Sequence, residues 1–149
     1  MKNLFDQATA DEFISRIERL QQTSTPRWGK MNAVQMLAHC QAPFRVCFGE
    51  LQLKQSLIGK IFGPMAKRKL LSAKPFGKNL PTAKEFIVPD RKDFEEEKNS
   101  LIQQIRRFSL GGHEVVKNFQ HPFFGKMTPD EWGALSAKHL DHHLQQFGV

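Results

Sequence analysis

The chain has 149 residues, which fits one domain with a sizeable core, and at 40% hydrophobic and 25% charged residues it excludes disordered, collagenous and solenoid classes. Its net charge of +7 is uneven, because residues 51–84 carry eight cations (Lys54, Lys60, Lys67, Arg68, Lys69, Lys74, Lys78, Lys84) and no acid, so the remainder sums to −1. The start, Met-Lys-Asn-Leu-Phe-Asp, turns polar before any apolar run suited to a signal peptide, and no stretch reaches the ~20 apolar residues of a membrane span, so a cytoplasmic protein is expected.

The first predicted helix opens on Thr9-Ala-Asp-Glu12, which reads as a capping box, and continues through Phe13, Ile14, Ile17 and Leu20 at helical spacing. The polar run 21–26 ends it, and Trp28-Gly-Lys reads as a turn. A second helix is predicted from about Asn32, carrying Val34, Met36, Leu37, His39, Cys40, Phe44 and Cys47, with a bend expected at Pro43. Cys40 and Cys47 would lie about 10 Å apart by helical rise, too far for a disulfide, so both are read as free, buried thiols, with a reactive role for Cys40 as the lesser alternative.

The basic region 51–84 is punctuated by Gly59, Gly63-Pro64, Pro75, Gly77 and Pro81 and reads as a long connection holding one or two short helices, around 53–62 and 65–71. Its charge could meet an anionic ligand, a nucleic acid or a membrane surface, or simply keep the connection solvated. Only Phe62 and Phe76 could stack on bases, so nucleic-acid binding is not expected. The third long helix follows Pro89-Asp90, has acids early (Asp93, Glu95, Glu96, Glu97) and Arg106-Arg107 late as the helix dipole favours, and stops at Gly111-Gly112. The fourth opens with Thr128-Pro-Asp-Glu131, a capping box with Pro at the first helical position. Four long helices and no strand predict an all-α four-helix bundle with a long connection between helices two and three.

On a wheel of about 100° per residue, His139 and His143 fall about 20° to either side of Trp132, on the apolar arc of the last helix. An inward i, i+4 pair can grip one ion, or can be two core histidines satisfied by hydrogen bonds. His39, mid-helix beside an apolar stripe, is the candidate third ligand. His113 and His121 fall in loops; His121 is read as a residue at a site mouth or packed under Phe123-Phe124.

The runs Asn32-Ala-Val-Gln-Met-Leu-Ala-His39 and Lys138-His-Leu-Asp-His-His143 resemble the DinB/YfiT-like superfamily of metalloenzymes. More specifically, His121-Pro-Phe-Phe-Gly-Lys-Met-Thr-Pro-Asp-Glu-Trp132 with His139-Leu-Asp-His-His-Leu-Gln-Gln-Phe-Gly148 resembles a branch classed as a domain of unknown function. The resemblance spans essentially all of 1–149 as a single domain. It implies an up-down-down-up four-helix bundle with a metal on His39, His139 and His143. Some relatives use a low-molecular-weight thiol as cosubstrate; the basic insertion and the 121–125 loop are where this chain is expected to depart from them.

The expectation is therefore a divalent transition metal, zinc or nickel foremost, on three imidazoles, which leave an open position for activating a thiol or water nucleophile in a transferase or hydrolase reaction. His142 and His121 are the candidate acid/base groups, the substrate is an unidentified small molecule, and a homodimer is one expected assembly. The rival reading is a non-catalytic, metal-containing module whose 51–84 segment meets an acidic partner. A plain bundle without metal is the third.

Overall fold

The computed structural model describes residues 2–55, 57–72, 74, 76–78 and 93–149. Its elements are α1 (Gln7–Glu18), α2 (Ala33–Cys47), α3 (Leu57–Leu70), α4 (Phe94–Gly111), a 3-10 turn (Gly112–Val115), β1 (Gln120–His121), β2 (Gly125–Lys126) and α5 (Pro129–Gln146). The expected Pro89-Asp90 lead-in to the third long helix, and the Pro75, Pro81 and Lys84 positions of the basic region, lie outside the described residues.

Local side-chain chemistry sets where the helices begin. Asp6, not Thr9, caps α1: its carboxylate accepts from the Ala8 amide at 3.3 Å and the Thr9 hydroxyl at 2.9 Å, which carries Thr9 into the first turn. A reciprocal capping box starts α2, with Asn32 Oδ1 accepting from the Gln35 amide at 2.8 Å and Gln35 Oε1 from the Asn32 amide at 3.0 Å. The Thr128–Glu131 pair does the same for α5, with Pro129 at the first helical position. Asp93 caps α4, and Gly112, at φ 57, ends it in the left-handed region that glycine tolerates.

The contacts between helices fix their directions. The Leu4 amide donates to Gly133 O at 3.2 Å near one end, and Arg16 binds Asp141 at 2.7 Å and Val149 O at 2.8 Å near the other, so α1 and α5 run parallel. Ser109 meets Gln7 and Lys98 Nζ donates to Glu18 O, so α4 opposes α1. Gln41 binds Glu97, and Arg107 reaches Glu50 just beyond α2, so α2 runs with α4. The bundle is thus up-down-down-up over α1, α2, α4 and α5, each of α1 and α2 packing on both α4 and α5.

Phe13, Phe44, Phe108 and Trp132 fill the interior at 0–1% exposure, each worth roughly 1.5–3 kcal/mol of apolar burial. One polar knot crosses the α2–α4 seam. Gln41 Nε2 donates to Glu97 Oε2 at 2.6 Å while its Oε1 accepts from Ser100 at 2.8 Å and Gln104 at 3.2 Å, which fixes the register of α2 two residues beyond His39.

Of the one or two short helices expected around 53–62 and 65–71, the chain forms one, α3, running through Gly63-Pro64, whose fixed φ is itself helical. The stretch expected to be a loop contains a two-residue antiparallel pair, Gln120 opposite Lys126 and His121 opposite Gly125, with Gly125 at φ 76 where β2 begins. As expected, α2 runs as helix past Pro43 to Cys47.

Candidate metal centre

The capping box at Asn32 places His39 two turns into α2, and the cap at Thr128 places His139 and His143 in the second half of α5, below the fully buried Trp132. Because α2 and α5 are antiparallel neighbours, the three imidazoles meet across their seam. One ligand nitrogen from each lies within 4.8 Å of the others, with His39 and His143 buried and His139 partly so. Ring centroids are separated by 5.0 Å (His39–His139), 4.8 Å (His39–His143) and 4.7 Å (His139–His143). The Nε2 atoms of His39 and His139 stand 3.0 Å apart.

A chain of bonds settles which nitrogen His143 offers. The Trp28 carbonyl can only accept, so the Gln146 group 2.6 Å from it is the amide nitrogen. Gln146 Oε1 therefore faces His143 Nδ1, at 2.8 Å, and accepts its proton. The lone pair is left on His143 Nε2. Carbonyl–imidazole pairs of this kind orient metal-binding histidines.

Electrostatics favour the neutral form of His139 and His143. Burial, and then the neighbouring His143 and His39, hold His139 well below the usual imidazole range. Burial pushes His143 down to about 3, with His39 adding to the effect and the Gln146 bond opposing it. Neutral imidazoles each have one lone pair to donate, and the 3.0 Å His39–His139 contact can be a hydrogen bond in one tautomer or a pair of ligand nitrogens in the other.

A metal fits this donor set. In a tetrahedral site with metal–nitrogen bonds of ~2.0–2.1 Å the nitrogens stand about 3.4 Å apart, so the 4.8 Å bound on the cluster asks for about 1.4 Å of side-chain closing at most. Two further polar atoms lie along the same stripe of α5: Trp132 Nε1 and Ser136 Oγ are buried without a hydrogen-bond partner among the described residues. Unsatisfied groups beside a histidine cluster mark a place where a ligand or water completes the bonding.

The other histidines have distinct surroundings. His121, at the hairpin, stacks against Phe124 (4.5 Å) and Trp132 (5.2 Å), and its Nδ1 accepts from the Phe123 and Phe124 amides at 3.0 and 3.1 Å. Its proton therefore sits on Nε2. Burial pushes it down to about 3, and it is near enough to His139 for charge on either ring to matter. His142 lies between Trp28 (5.7 Å) and Phe76 (5.8 Å), with its ring 5.1 Å from that of His143. Burial lowers it, Asp141 opposes that and Lys78 reinforces it. His113 is exposed and meets Asp130 at 3.1 Å, away from the cluster. Gln146 and Trp28 escaped the sequence reading; the one local signal was Gln146 lying three residues past His143.

Against known proteins, the sequence model of one family, described as Protein of unknown function (DUF1569), matches residues 2–148. No curated protein and no solved structure matches the chain.

Proposed function

The chain belongs to the DUF1569 family of proteins of unknown function, a description that assigns no chemistry, and from the histidine cluster we propose that it is a metal-dependent enzyme holding one divalent transition-metal ion on His39, His139 and His143. The observation that carries this is the convergence of three imidazole nitrogens within 4.8 Å across the α2–α5 seam. The up-down-down-up order and the helix-two and last-helix origins of the ligands support placement among DinB/YfiT-like proteins. Zinc suits an all-imidazole set, with nickel next. Buried free thiols suit the reducing cytoplasm.

Bound there with a coordination position open, the ion would lower the pKa of a thiol or water so that a nucleophile forms at neutral pH, as a transferase or hydrolase requires. The chain's own residues do the rest. Gln146, anchored on the Trp28 carbonyl, holds His143 with Nε2 facing inward. His121 has Nδ1 committed to two amides, so it serves as a neutral Nε2–H donor toward developing negative charge, not as a base. His142, between Trp28 and Phe76 and beside His143, is the group with a titratable nitrogen near the reaction space.

The test is elemental analysis of untagged protein beside a His39→Ala/His139→Ala/His143→Ala variant. About one equivalent of transition metal in the native chain and none in the variant supports the reading. Absence from both, with zinc and nickel reconstitution also failing, ends it.

A further inference from the structure

Helix α3 turns its large apolar side chains away from its own protein. On a wheel of about 100° per residue, Leu57, Ile58, Ile61, Phe62 and Met65 share one arc of about 140°, and all are exposed, Leu57 at 77%, Ile61 at 72% and Met65 at 67%. The opposite arc carries Gly59 and Gly63, both buried, with Ala66 and Lys67. A Cβ on Gly63 would collide with the Phe123 carbonyl oxygen, so the helix backbone sits directly on the hairpin loop. Lys67 fastens the far end, donating to Lys126 O at 2.7 Å and meeting the Glu131 carboxylate at 2.6 Å. The small-residue seat and the lysine clasp together fix the apolar arc outward.

A helix packed on its own bundle buries its apolar stripe; this one buries glycines. A contiguous exposed patch of that kind marks an interaction surface. The charge around it says what it meets. Lys54, Lys60, Arg68, Lys69 and Lys74 are exposed, none forms an ion pair among the described residues, and no acid lies between Leu51 and Lys84. A second copy docking through this face would bring two such cationic rims together, against the complementarity that interfaces need. A nucleic acid would take the cations but leave Leu57, Ile61 and Met65 in water. A bilayer surface with anionic headgroups takes both, since aliphatic side chains enter the acyl boundary while Lys and Arg stay at the phosphates.

We propose that α3 is an interfacial helix that lays Leu57, Ile58, Ile61, Phe62 and Met65 into an anionic lipid surface with its lysines and arginine at the headgroups. The helix does not cross the bilayer; among the described residues no helix is long and apolar enough to do so. The proposal stands apart from the metal reading, because α3 supplies none of the three histidines.

The experiment is flotation of the full chain with phosphatidylglycerol/phosphatidylcholine vesicles and with pure phosphatidylcholine vesicles, at low and high salt. Binding is expected to the anionic vesicles only, weakening with salt. Ile61→Ser with Phe62→Ser is expected to cut the partition coefficient on the order of 100-fold, and Arg68→Gln with Lys69→Gln by about 20–30-fold. All four residues are exposed, so the thermal unfolding of both variants should match that of the parent. No flotation of the parent overturns the proposal. So does flotation indifferent to Ile61→Ser and Phe62→Ser, which would mean charge alone acts. Sedimentation showing a dimer broken by those two substitutions, without lipid binding, would assign the face to self-association instead. Salt-sensitive binding of a single-stranded oligonucleotide in place of vesicles would assign it to nucleic acid.

Discussion

Gln146 Oε1 lies 2.8 Å from His143 Nδ1 and is held there by the hydrogen bond that Gln146 Nε2 donates to the Trp28 carbonyl at 2.6 Å. The relationship ties the turn before α2 to a proposed metal ligand on α5, and it decides the tautomer of that ligand. Replacing Gln146 with Leu removes the acceptor while keeping the volume of a residue 3% exposed. Metal affinity is then expected to fall about 10–100-fold, read by competition with a chromogenic chelator. Gln146→Glu, which keeps an acceptor at that position, should retain more of the affinity than Leu does. Equal losses in both variants would mean that packing, not the hydrogen bond, is what Gln146 provides.

How much of this was legible beforehand depends on the range of the interactions. Asn32 and Thr128-Pro129-Asp-Glu131 announce helix starts because capping is chemistry among residues three apart, and α2 and α5 begin at those points. His139 and His143 share a face by spacing alone, and the fold brings His39 to them. The start of α1 was misread because two capping candidates, Asp6 and Thr9, stand within one turn and bond to each other. Whether α3 is one helix or two stays open in the sequence because Gly59, Gly63 and Pro64 look like breaks until the hairpin that Gly63 rests on is known. The Trp28–Gln146 bond spans 118 positions, so no local pattern contains it.

His121 gives the protein a measurable pH dependence of stability. Its folded pKa, pushed down by burial to about 3, lies below the ordinary 6.5. Between those values the unfolded chain binds a proton that the native protein does not, so stability rises with pH there. The contribution is whole above pH 6.5 and is lost as pH falls toward 3, amounting to about 1–2 kcal/mol by pH 5. His121→Asn, whose side-chain oxygen can still accept the Phe123 and Phe124 amides, removes this contribution. Thermal melts of metal-free protein from pH 7.5 to 5 should therefore fall less steeply in His121→Asn than in the parent. Parallel slopes would mean that the native ring takes up its proton near 6.5.

The two cysteines should be chemically silent. Cys40 and Cys47 are free and 0–1% exposed. Burial raises the Cys40 thiol far above its usual value, and Cys47 rises to about 12 against a smaller opposing effect of Arg107. At pH 8 only about one Cys47 in ten thousand would be thiolate. Ellman's reagent should find no fast-reacting thiol in the native protein and two after denaturation. Rapid native labelling of Cys40 would revive a reactive role for the residue beside His39.

Metal and fold are linked if the cluster binds as proposed, because an ion held by His39, His139 and His143 adds a bridge between α2 and α5, which already pack on each other. Ligand at 100 times its dissociation constant stabilises a fold by about 2.7 kcal/mol, and near this chain length each kcal/mol moves Tm by roughly 2–4 °C. Zinc or nickel added to chelator-treated protein should therefore raise Tm by about 5–10 °C, and the chelator should reverse it. His39→Ala removes one of three ligands and opens space at a site 5% exposed, so it should start from a lower Tm and gain little from added metal. His142→Ala tests the boundary of the cluster. Its ring packs on Trp28 and Phe76 outside the trio, so the metal-induced shift should persist there while any activity dependent on proton transfer falls. A shift as large in His39→Ala as in the parent would place the ion elsewhere on the chain.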